Sequence, residues 1–297
     1  MKELPQSFKY ILKRLLKPII KAGFSVLPQA VIERAVVYRR SMIDYLPPNR
    51  HFIFRKYLGD ISVNIDTIYP IEREMLTGRY DLETAAIIER CVKRGDVCID
   101  IGANVGAISF ALGKRVGSHG KVCACEPGDF LFKRLVDNIR LNSGYEKIIF
   151  PFNLGFSDKK EIRLWNEDKQ NRGNAGFLFI DSNQDERVEL VPLDHFFTEQ
   201  GLDRLDFVKI DVEGMEYEVI KGAAQTINKY KPVIWYETGF FEKGFWAEIL
   251  RGENVILAIE QLLEGLGYKF YKLDSGKILE TRYPNLKYNT LAVWERA

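Results

Sequence analysis

The clearest hydrophobic pattern in the chain lies over residues 97–101, which are apolar except for Asp100. A short apolar run of this kind is typical of a buried strand in a parallel sheet. Closely spaced glycines follow at Gly102 and Gly106, and from Ala107 the apolar residues recur at helical spacing. The pattern predicts a strand, a loop where glycine lets the backbone approach a ligand, and a helix whose first N–H groups face that ligand.

Apolar runs alternate with helical spacing along the rest of the chain. The runs predict further strands at 121–125, 148–150, 207–211, 233–237, 268–273 and 289–294. Helical spacing predicts helices at 81–94, 130–141, 217–220 and 254–266. Strands that alternate with helices are typical of an α/β fold with a mostly parallel sheet and helices on both faces.

Two parts of the chain depart from this alternation. Residues 153–192 contain extended pieces at 161–165, 176–180 and 187–191, which predict a β insertion that extends the sheet near its third strand. Before the α/β pattern, strand-like runs at 52–54 and 61–65 predict a small cap. We therefore expect an N-terminal segment, 1–80, and a main domain, 81–297.

The first part of that segment mixes apolar and basic residues at helical spacing. Over residues 7–21 this gives a basic amphipathic helix, interrupted at Pro18. Such a helix packs on its own domain, on a second subunit, or on an anionic membrane surface. Peripheral contact with a membrane is therefore one of the expectations for this chain.

Composition narrows the class of protein. A net charge of +2 over 297 residues gives no global basic field, so nucleic acid is not favoured as a partner. The four cysteines lack the spacing of a zinc site and are expected to be buried free thiols. We find neither a secretory leader nor an apolar run near the roughly 20 residues of a membrane span, so a cytoplasmic location is expected.

The glycine loop departs from the dinucleotide fingerprint, because Asn104 stands where the second glycine of G-x-G-x-x-G is needed. That change disfavours a pyrophosphate ligand. Asp100 at the strand tip suits an ammonium group, and Glu126, which ends the next apolar run, suits a ribose diol. Two acids around a glycine loop favour S-adenosylmethionine, and the alternative is an ordinary glycine turn with two surface acids.

Four segments together resemble the FkbM family of S-adenosylmethionine-dependent methyltransferases: 99–106, Glu126-Pro127, 206–216 and Lys221-Gly222. The resemblance covers about residues 81–297. It implies a Rossmann-like class I methyltransferase fold with a seven-stranded, mostly parallel sheet. It also implies O-methyl transfer to a hydroxyl of a sugar or natural product, and many family members are encoded among polysaccharide biosynthesis genes.

The candidate cofactor-binding residues are Asp100, Gly102, Asn104, Gly106, Glu126 and Asp158. For Asp158 the reason is the resemblance, which puts the adenine near the third strand. The alternative for Asp158 is a plain hairpin turn over residues 157–160.

The candidate catalytic residues are acids that follow the fourth and fifth strands: Asp211, Glu213 and Glu237. Ligands bind at the carboxyl ends of strands in open α/β sheets, so these acids and the glycine loop should face one crevice. One acid could remove the hydroxyl proton, or two could hold a divalent metal that lowers the pKa of the acceptor. His195 is a further candidate base, although a lone histidine between phenylalanines is more often packed or exposed.

Lys209 lies in the fourth predicted strand on the same face as Asp211. A buried ammonium is costly unless it is paired, so we expect a carboxylate partner, either Asp211 or Asp100 on a neighbouring strand. Three other functions remain open: methylation of RNA or another small molecule, a non-catalytic S-adenosylmethionine-binding module, and a nicotinamide oxidoreductase. Asn104 counts against the last, and the acids at the sheet edge count against the second.

Overall fold

The structure is a computed structural model that describes residues 50–78, 80–165, 186–212, 214–237, 255–281 and 289–295. Contacts between residues divide the chain into two compact units, Met1–Tyr80 and Asp81–Ala297. The basic stretch at 7–21, the extended piece at 176–180 and the candidate base Glu213 lie outside the described residues. In the described ranges, no helix is long and apolar enough to cross a membrane.

The first unit contains a β-hairpin followed by a helix. Strands β1 (His51–Tyr57) and β2 (Ile61–Asp66) pair antiparallel, and helix α1 spans Pro70–Thr77. Apolar residues of β2 are buried at every second position, which is why the alternating sequence forms a strand. The two strand-like runs predicted for the cap are therefore confirmed.

The second unit alternates strands and helices as the sequence predicted. Its first part comprises α2 (Leu82–Cys91), β3 (Val97–Ile101), α3 (Ala107–Val116), β4 (Lys121–Cys125), α4 (Asp129–Arg140) and β5 (Ile149–Phe152). The next part comprises β6 (Gly155–Phe156), β7 (Glu161–Trp165), β8 (Glu186–Val191) and α5 (Leu193–Glu199). The last part comprises β9 (Phe207–Ile210), α6 (Glu216–Lys221), α7 (Ala224–Tyr230), β10 (Val233–Tyr236), α8 (Val255–Gly265), β11 (Tyr268–Asp274), β12 (Lys277–Thr281) and β13 (Thr290–Trp294). Two short 3-10 helices lie at Gly117–His119 and Tyr145–Lys147.

The large sheet has the strand order β12-β11-β13-β10-β9-β3-β4-β5. Strands β5, β4, β3, β9 and β10 are parallel, while β13, β11 and β12 join through antiparallel pairs. This is the Rossmann-like, mostly parallel arrangement that the sequence predicted. The described part of the sheet has eight strands and not seven, because a turn at Ser275-Gly276 adds β12 as a hairpin partner of β11.

The β insertion differs from its prediction. Strands β6, β8 and β7 form a separate three-stranded sheet and do not extend the large one. Strand β8 lies between the other two: it pairs in parallel with β6 and antiparallel with β7. The ladder hydrogen bonds of these three strands are therefore made with one another. Sequence periodicity finds strands of this kind but does not assign them to a sheet.

The chain order around β3 marks the edge of the sheet at which a ligand is expected. Strands β4 and β5 add on one side of β3, and β9 and β10 add on the other. The strand order therefore reverses beside β3, and ligands of open α/β sheets bind at such a point, outside the carboxyl ends of the strands. Of the four free cysteines, Cys98, Cys123 and Cys125 are buried in β3 and β4 as expected, and Cys91 is half-buried.

Candidate active site

The five parallel strands of the large sheet end at one edge, which we call the rim, and four of them are followed by glycine or an acid. The residues that follow are Gly102 after β3, Glu126 after β4, Asp211 after β9 and Glu237 after β10. The N–H of Asp211 donates to the carbonyl of Ile101 at 3.1 Å, and the N–H of Glu237 donates to the carbonyl of Ile210 at 3.1 Å. These bonds continue the sheet past the strand ends and hold the glycine loop and the acids at one edge.

The glycine loop, residues 102–106, uses its backbone N–H groups within the protein. In order, the N–H groups donate to Cys125 O twice (3.0 and 3.0 Å), to Glu126 Oε2 (2.9 Å), to the Asn104 side chain (2.8 Å) and to Ala103 O (2.9 Å). A phosphate-binding loop instead presents its N–H groups to the ligand. The geometry agrees with the sequence argument against a pyrophosphate.

The two glycines of this loop make room for the protein itself. A Cβ at Gly102 would lie 1.9 Å from the carbonyl oxygen of Asp211, and a Cβ at Gly106 would lie 2.7 Å from Leu135 Cδ1. Both residues also have positive φ angles, +78° and +93°, which favour glycine. At both glycines the place of a Cβ is occupied by protein atoms, from Asp211 and Leu135, and their approach to a ligand stays a prediction.

Asp100 does not face the crevice. Its side chain has no exposed surface, and Ser109 Oγ donates to its Oδ2 at 2.6 Å. Its other oxygen lies 3.5 Å from the ammonium of Lys209. The partners of its carboxylate within the chain belong to α3 and β9, and its contact with the ammonium of the ligand stays a prediction.

Lys209 is buried among oxygen atoms, as the sequence argument required. Its ammonium lies 3.2 Å from Asp211 Oδ2 and 3.0 Å from the carbonyl of Gly102, in addition to the contact with Asp100. The parallel register places Asp100, Lys209 and Trp235 side by side on neighbouring strands, so the contacts run along one row of the sheet. The prediction of a carboxylate partner is confirmed, and the structure provides two.

Glu126 joins the loops that follow β3 and β4. Its Oε2 accepts the N–H of Asn104 at 2.9 Å, and its Oε1 accepts the N–H of Gly128 at 3.0 Å. The side chain is almost fully buried. Asn104 adopts a left-handed conformation, with φ +52°, which asparagine tolerates better than most residues. The two N–H bonds fix the direction in which the carboxylate points.

The remaining candidates are placed as follows. The Asp211 side chain is about one-third exposed, at 35%, and Glu237 is half-buried at the neighbouring strand end. His195 lies exposed on α5, where its Nε2 is 3.3 Å from Glu199 one turn along the same helix. This pair gives His195 a surface position, so we do not retain it as the base.

Asp158 makes an ion pair with the chain itself. Its Oδ2 lies 2.6 Å from the ammonium of Lys221, and this bond holds the pKa of the Asp158 carboxyl below its usual value. A Cβ at Gly222 would lie 2.1 Å from the carbonyl oxygen of Ser157. Lys221-Gly222 is one of the segments that carry the family resemblance. Its two residues are needed for packing, because they hold the end of α6 against the turn after β6.

A family model for the methyltransferase FkbM domain matches residues 100–270, which is more than half of the chain. The chain belongs to this family. The matched range contains the last two residues of β3, the glycine loop and every strand end of the rim. The resemblance stated from the sequence is thereby confirmed.

Two curated relatives match this FkbM domain over part of their length. "Methyltransferase sdnD" of Sordaria araneosa is 29% identical over 159 residues, covering 42% of this chain and 59% of the relative. "AMB antimetabolite synthetase AmbE" of Pseudomonas aeruginosa is 28% identical over 160 residues, covering 42% of this chain and 8% of the relative. The matches thus span less than two thirds of either relative.

Solved structures similar to this FkbM domain are distant. A methyltransferase FkbM from Methylobacillus flagellatus has 16% identity and a TM-score of 0.43, with 75% of this chain and 52% of that chain covered. An S-adenosylmethionine-dependent O-methyltransferase from Thermotoga maritima has 17% identity and a TM-score of 0.42, with 86% and 82% covered.

Sequence reasoning missed Glu216 and Ser109 as residues of this site. Glu216, the first residue of α6, is 1% exposed and accepts N–H groups from the segment after β9. The sequence feature that could have identified Glu216 is its place at the end of the segment 206–216, which carries part of the family resemblance. Ser109 gave no signal, because a serine in the first turn of a helix is common. Within the described ranges, no group of three or more His, Cys, Asp or Glu side chains is arranged to hold a metal ion.

Proposed function

We propose that this chain transfers a methyl group from S-adenosylmethionine to a hydroxyl oxygen of a sugar, polysaccharide or natural-product acceptor. Membership of the FkbM family supports methyl transfer. The reaction is an in-line displacement: a bond forms from oxygen to the methyl carbon while the carbon–sulfur bond breaks. S-adenosylhomocysteine leaves, and the hydroxyl proton passes to a base or to water.

The observation that carries the proposal is the kind of polar group at the rim. The loop N–H groups are used within the protein, and carboxylates follow β4, β9 and β10. S-adenosylmethionine bears a sulfonium and an ammonium, which such an edge attracts, whereas a pyrophosphate would meet carboxylates and no free loop N–H group.

Glu126 is proposed to bind the ribose diol. Its two N–H bonds, from Asn104 and Gly128, orient the carboxylate before the ligand arrives. Such preorganisation lowers the entropic cost of binding. Gly102, Asn104 and Gly106 act by giving the loop its shape.

In this proposal Asp100 has a different role from the one expected, whereas Asp158 keeps its expected role. Asp100 acts indirectly, because its carboxylate helps to hold the Lys209 ammonium that contacts the carbonyl of Gly102. Asp158 remains a proposed partner of the adenine amino group, with Lys221 sharing its carboxylate.

For the acceptor we propose that a rim carboxylate takes up the hydroxyl proton. Asp211, Glu213 and Glu237 are the candidates, and Asp211 is oriented by Lys209. The alternative is a divalent metal held by two of these carboxylates, which would lower the pKa of the acceptor hydroxyl. The alternative acceptor is RNA or another small molecule.

Calorimetry tests the cofactor directly. We expect S-adenosylmethionine and S-adenosylhomocysteine to bind to the unmutated chain and NADH not to bind. Transfer of a labelled methyl group is then measured on sugar, polysaccharide, polyketide-type and RNA acceptors. Binding of NADH would support an oxidoreductase, and binding of S-adenosylmethionine without transfer to any acceptor would support a non-catalytic module.

We also propose where the protein acts. A cytoplasmic site of action and peripheral contact with a membrane through residues 7–21 would bring the protein to a lipid-linked acceptor. Sedimentation with anionic vesicles, compared for the full chain and a variant with the basic residues of 7–21 neutralised, tests the second.

A further inference from the structure

One side chain, that of Glu216, accepts hydrogen bonds from the backbone between β9 and α6. Glu216 Oε1 accepts the N–H of Val212 at 3.1 Å and the N–H of Gly214 at 3.3 Å. We call the described residues between β9 and α6, 211–212 and 214–215, the rim segment. Both bonds come from backbone groups, so they constrain the path of the chain directly after the strand that ends at the rim.

The other oxygen of Glu216 is buried and has no hydrogen-bond partner in the part of the chain that the structure describes. The residue itself is only 1% exposed. A buried carboxyl oxygen without a partner costs free energy, and an apolar side chain of similar size would avoid that cost. The presence of a glutamate at position 216 is therefore better explained by the two N–H groups that its Oε1 accepts than by a contribution to stability.

The rim segment touches the glycine loop through its backbone. Gly102 lies so close to the carbonyl of Asp211 that an added Cβ would be 1.9 Å from it. The Asp211 carboxylate is in turn paired with Lys209 at 3.2 Å. A shift of the rim segment would therefore move Asp211 relative to the loop after β3. Positioning of a reacting group within a fraction of an ångström is a large part of catalysis by orientation.

We propose that Glu216 is a positioning residue that fixes the rim segment for methyl transfer and does not bind S-adenosylmethionine. The proposal rests on the proposed function for its catalytic consequence. Its structural consequence, the anchoring of two backbone N–H groups, is independent of the reaction. Burial also raises the pKa of Glu216 to about 7, against the lowering effect of those two N–H bonds.

The first test is hydrogen exchange of individual amides, measured by NMR on the full chain. In Glu216→Leu the Val212 and Gly214 amides should exchange about 10–100-fold faster, the range expected for losing a bond to a charged acceptor. In Glu216→Gln the amide oxygen still accepts both bonds, and the increase should be below about 10-fold. The matched control is Glu218→Gln, which removes a carboxylate two residues along α6 and should leave both amides unchanged.

The second test separates turnover from binding. Glu216→Leu should lower kcat about 10-fold or more, with the Kd for S-adenosylmethionine changed less than about 3-fold, and Glu216→Gln should restore most of kcat. Unchanged exchange at Val212 and Gly214 in both Glu216 variants would overturn the proposal, as would equal losses of kcat and affinity. If Glu216→Leu does not fold, Glu216→Gln decides. Exchange at Val212 and Gly214 that is faster than in the unmutated chain supports the proposal, and equal exchange overturns it. Failure of the unmutated chain to bind S-adenosylmethionine would defeat the proposed function and leave the exchange result intact.

Discussion

The ammonium of Lys209 lies 3.2 Å from the carboxylate of Asp211, although the first side chain is almost fully buried and the second is one-third exposed. The same ammonium lies 3.5 Å from the fully buried Asp100. One lysine thus connects a carboxylate inside the sheet with a carboxylate at the rim. Removing it should disturb both the stability of the sheet and the orientation of Asp211.

Lys209→Met should lower the free energy of unfolding by about 3–5 kcal/mol, because it leaves the buried Asp100 without its cation. Urea denaturation followed by circular dichroism measures the loss. The control is Lys269→Met, whose ammonium pairs with Glu295 at the surface and should change stability by less than about 1 kcal/mol. Equal losses in the two variants would contradict a special role for the buried lysine.

Glu126→Ala should weaken S-adenosylmethionine binding about 10–100-fold, corresponding to about 1–3 kcal/mol for charge-assisted hydrogen bonds to the ribose. Calorimetry gives the affinity. Glu189→Ala serves as a control, because Glu189 is exposed on β8 and pairs with Lys160. Unchanged affinity in Glu126→Ala would remove Glu126 from the ribose site.

Gly102→Ala should cost more than Gly95→Ala, although the φ angles are similar at +78° and +82°. Both changes impose a left-handed conformation on alanine, which costs about 1–2 kcal/mol. Only the Cβ at position 102 would meet protein, the Asp211 carbonyl at 1.9 Å, whereas nothing lies within 4 Å at Gly95. We expect about 1–3 kcal/mol of additional destabilisation from this overlap, measured by urea denaturation. A smaller loss at Gly102 than at Gly95 would show that the contact is absent.

One of the three rim acids Asp211, Glu213 and Glu237 is proposed as the base. Neutralising that acid should lower turnover about 10²–10⁴-fold and leave the affinity for S-adenosylmethionine nearly intact. The variants are Asp211→Asn, Glu213→Gln and Glu237→Gln, assayed with and without chelator. If a metal activates the hydroxyl, chelator abolishes turnover in the unmutated protein and added Mg²⁺ restores it. Full activity of Asp211→Asn and Glu213→Gln in chelator would leave Glu237 as the base.

Stability should depend on pH through Glu216. Burial raises its pKa to about 7 in the folded state, above the usual 4.5, so the folded protein binds the proton more tightly than the unfolded chain. Stability from this group is therefore present at low pH and falls as the pH rises from about 4.5 to about 7. Glu216→Gln should remove that decline, so its stability relative to the unmutated protein should increase between pH 5 and pH 7.5. Denaturation midpoints at the two pH values test the sign.

The candidate site could be predicted from the sequence to the level of strand ends and not to the level of contacts. The carboxylate partners of Lys209 were predicted correctly, because a lysine in a buried strand needs a carboxylate and the neighbouring strand ends offered Asp100 and Asp211. The contacts of Asp100 could not be predicted in the same way. Whether an acid at a strand tip faces a ligand or a neighbouring helix depends on residues such as Ser109, which are distant in space until the chain folds.

The order of apolar and polar residues by itself determined the alternation of strands and helices, the loop at residues 102–106 and the rim where the parallel strands end, because these follow from local periodicity and from the direction of parallel strands. Only the tertiary structure decided that the β insertion forms its own sheet, that Gly102 makes room for Asp211, and that Glu216 holds the backbone of the rim segment. The first two features depend on contacts between segments distant along the chain, which leave no periodic signal in the sequence. The third is a contact between residues close in sequence, and it depends on the burial of the Glu216 side chain in the folded protein.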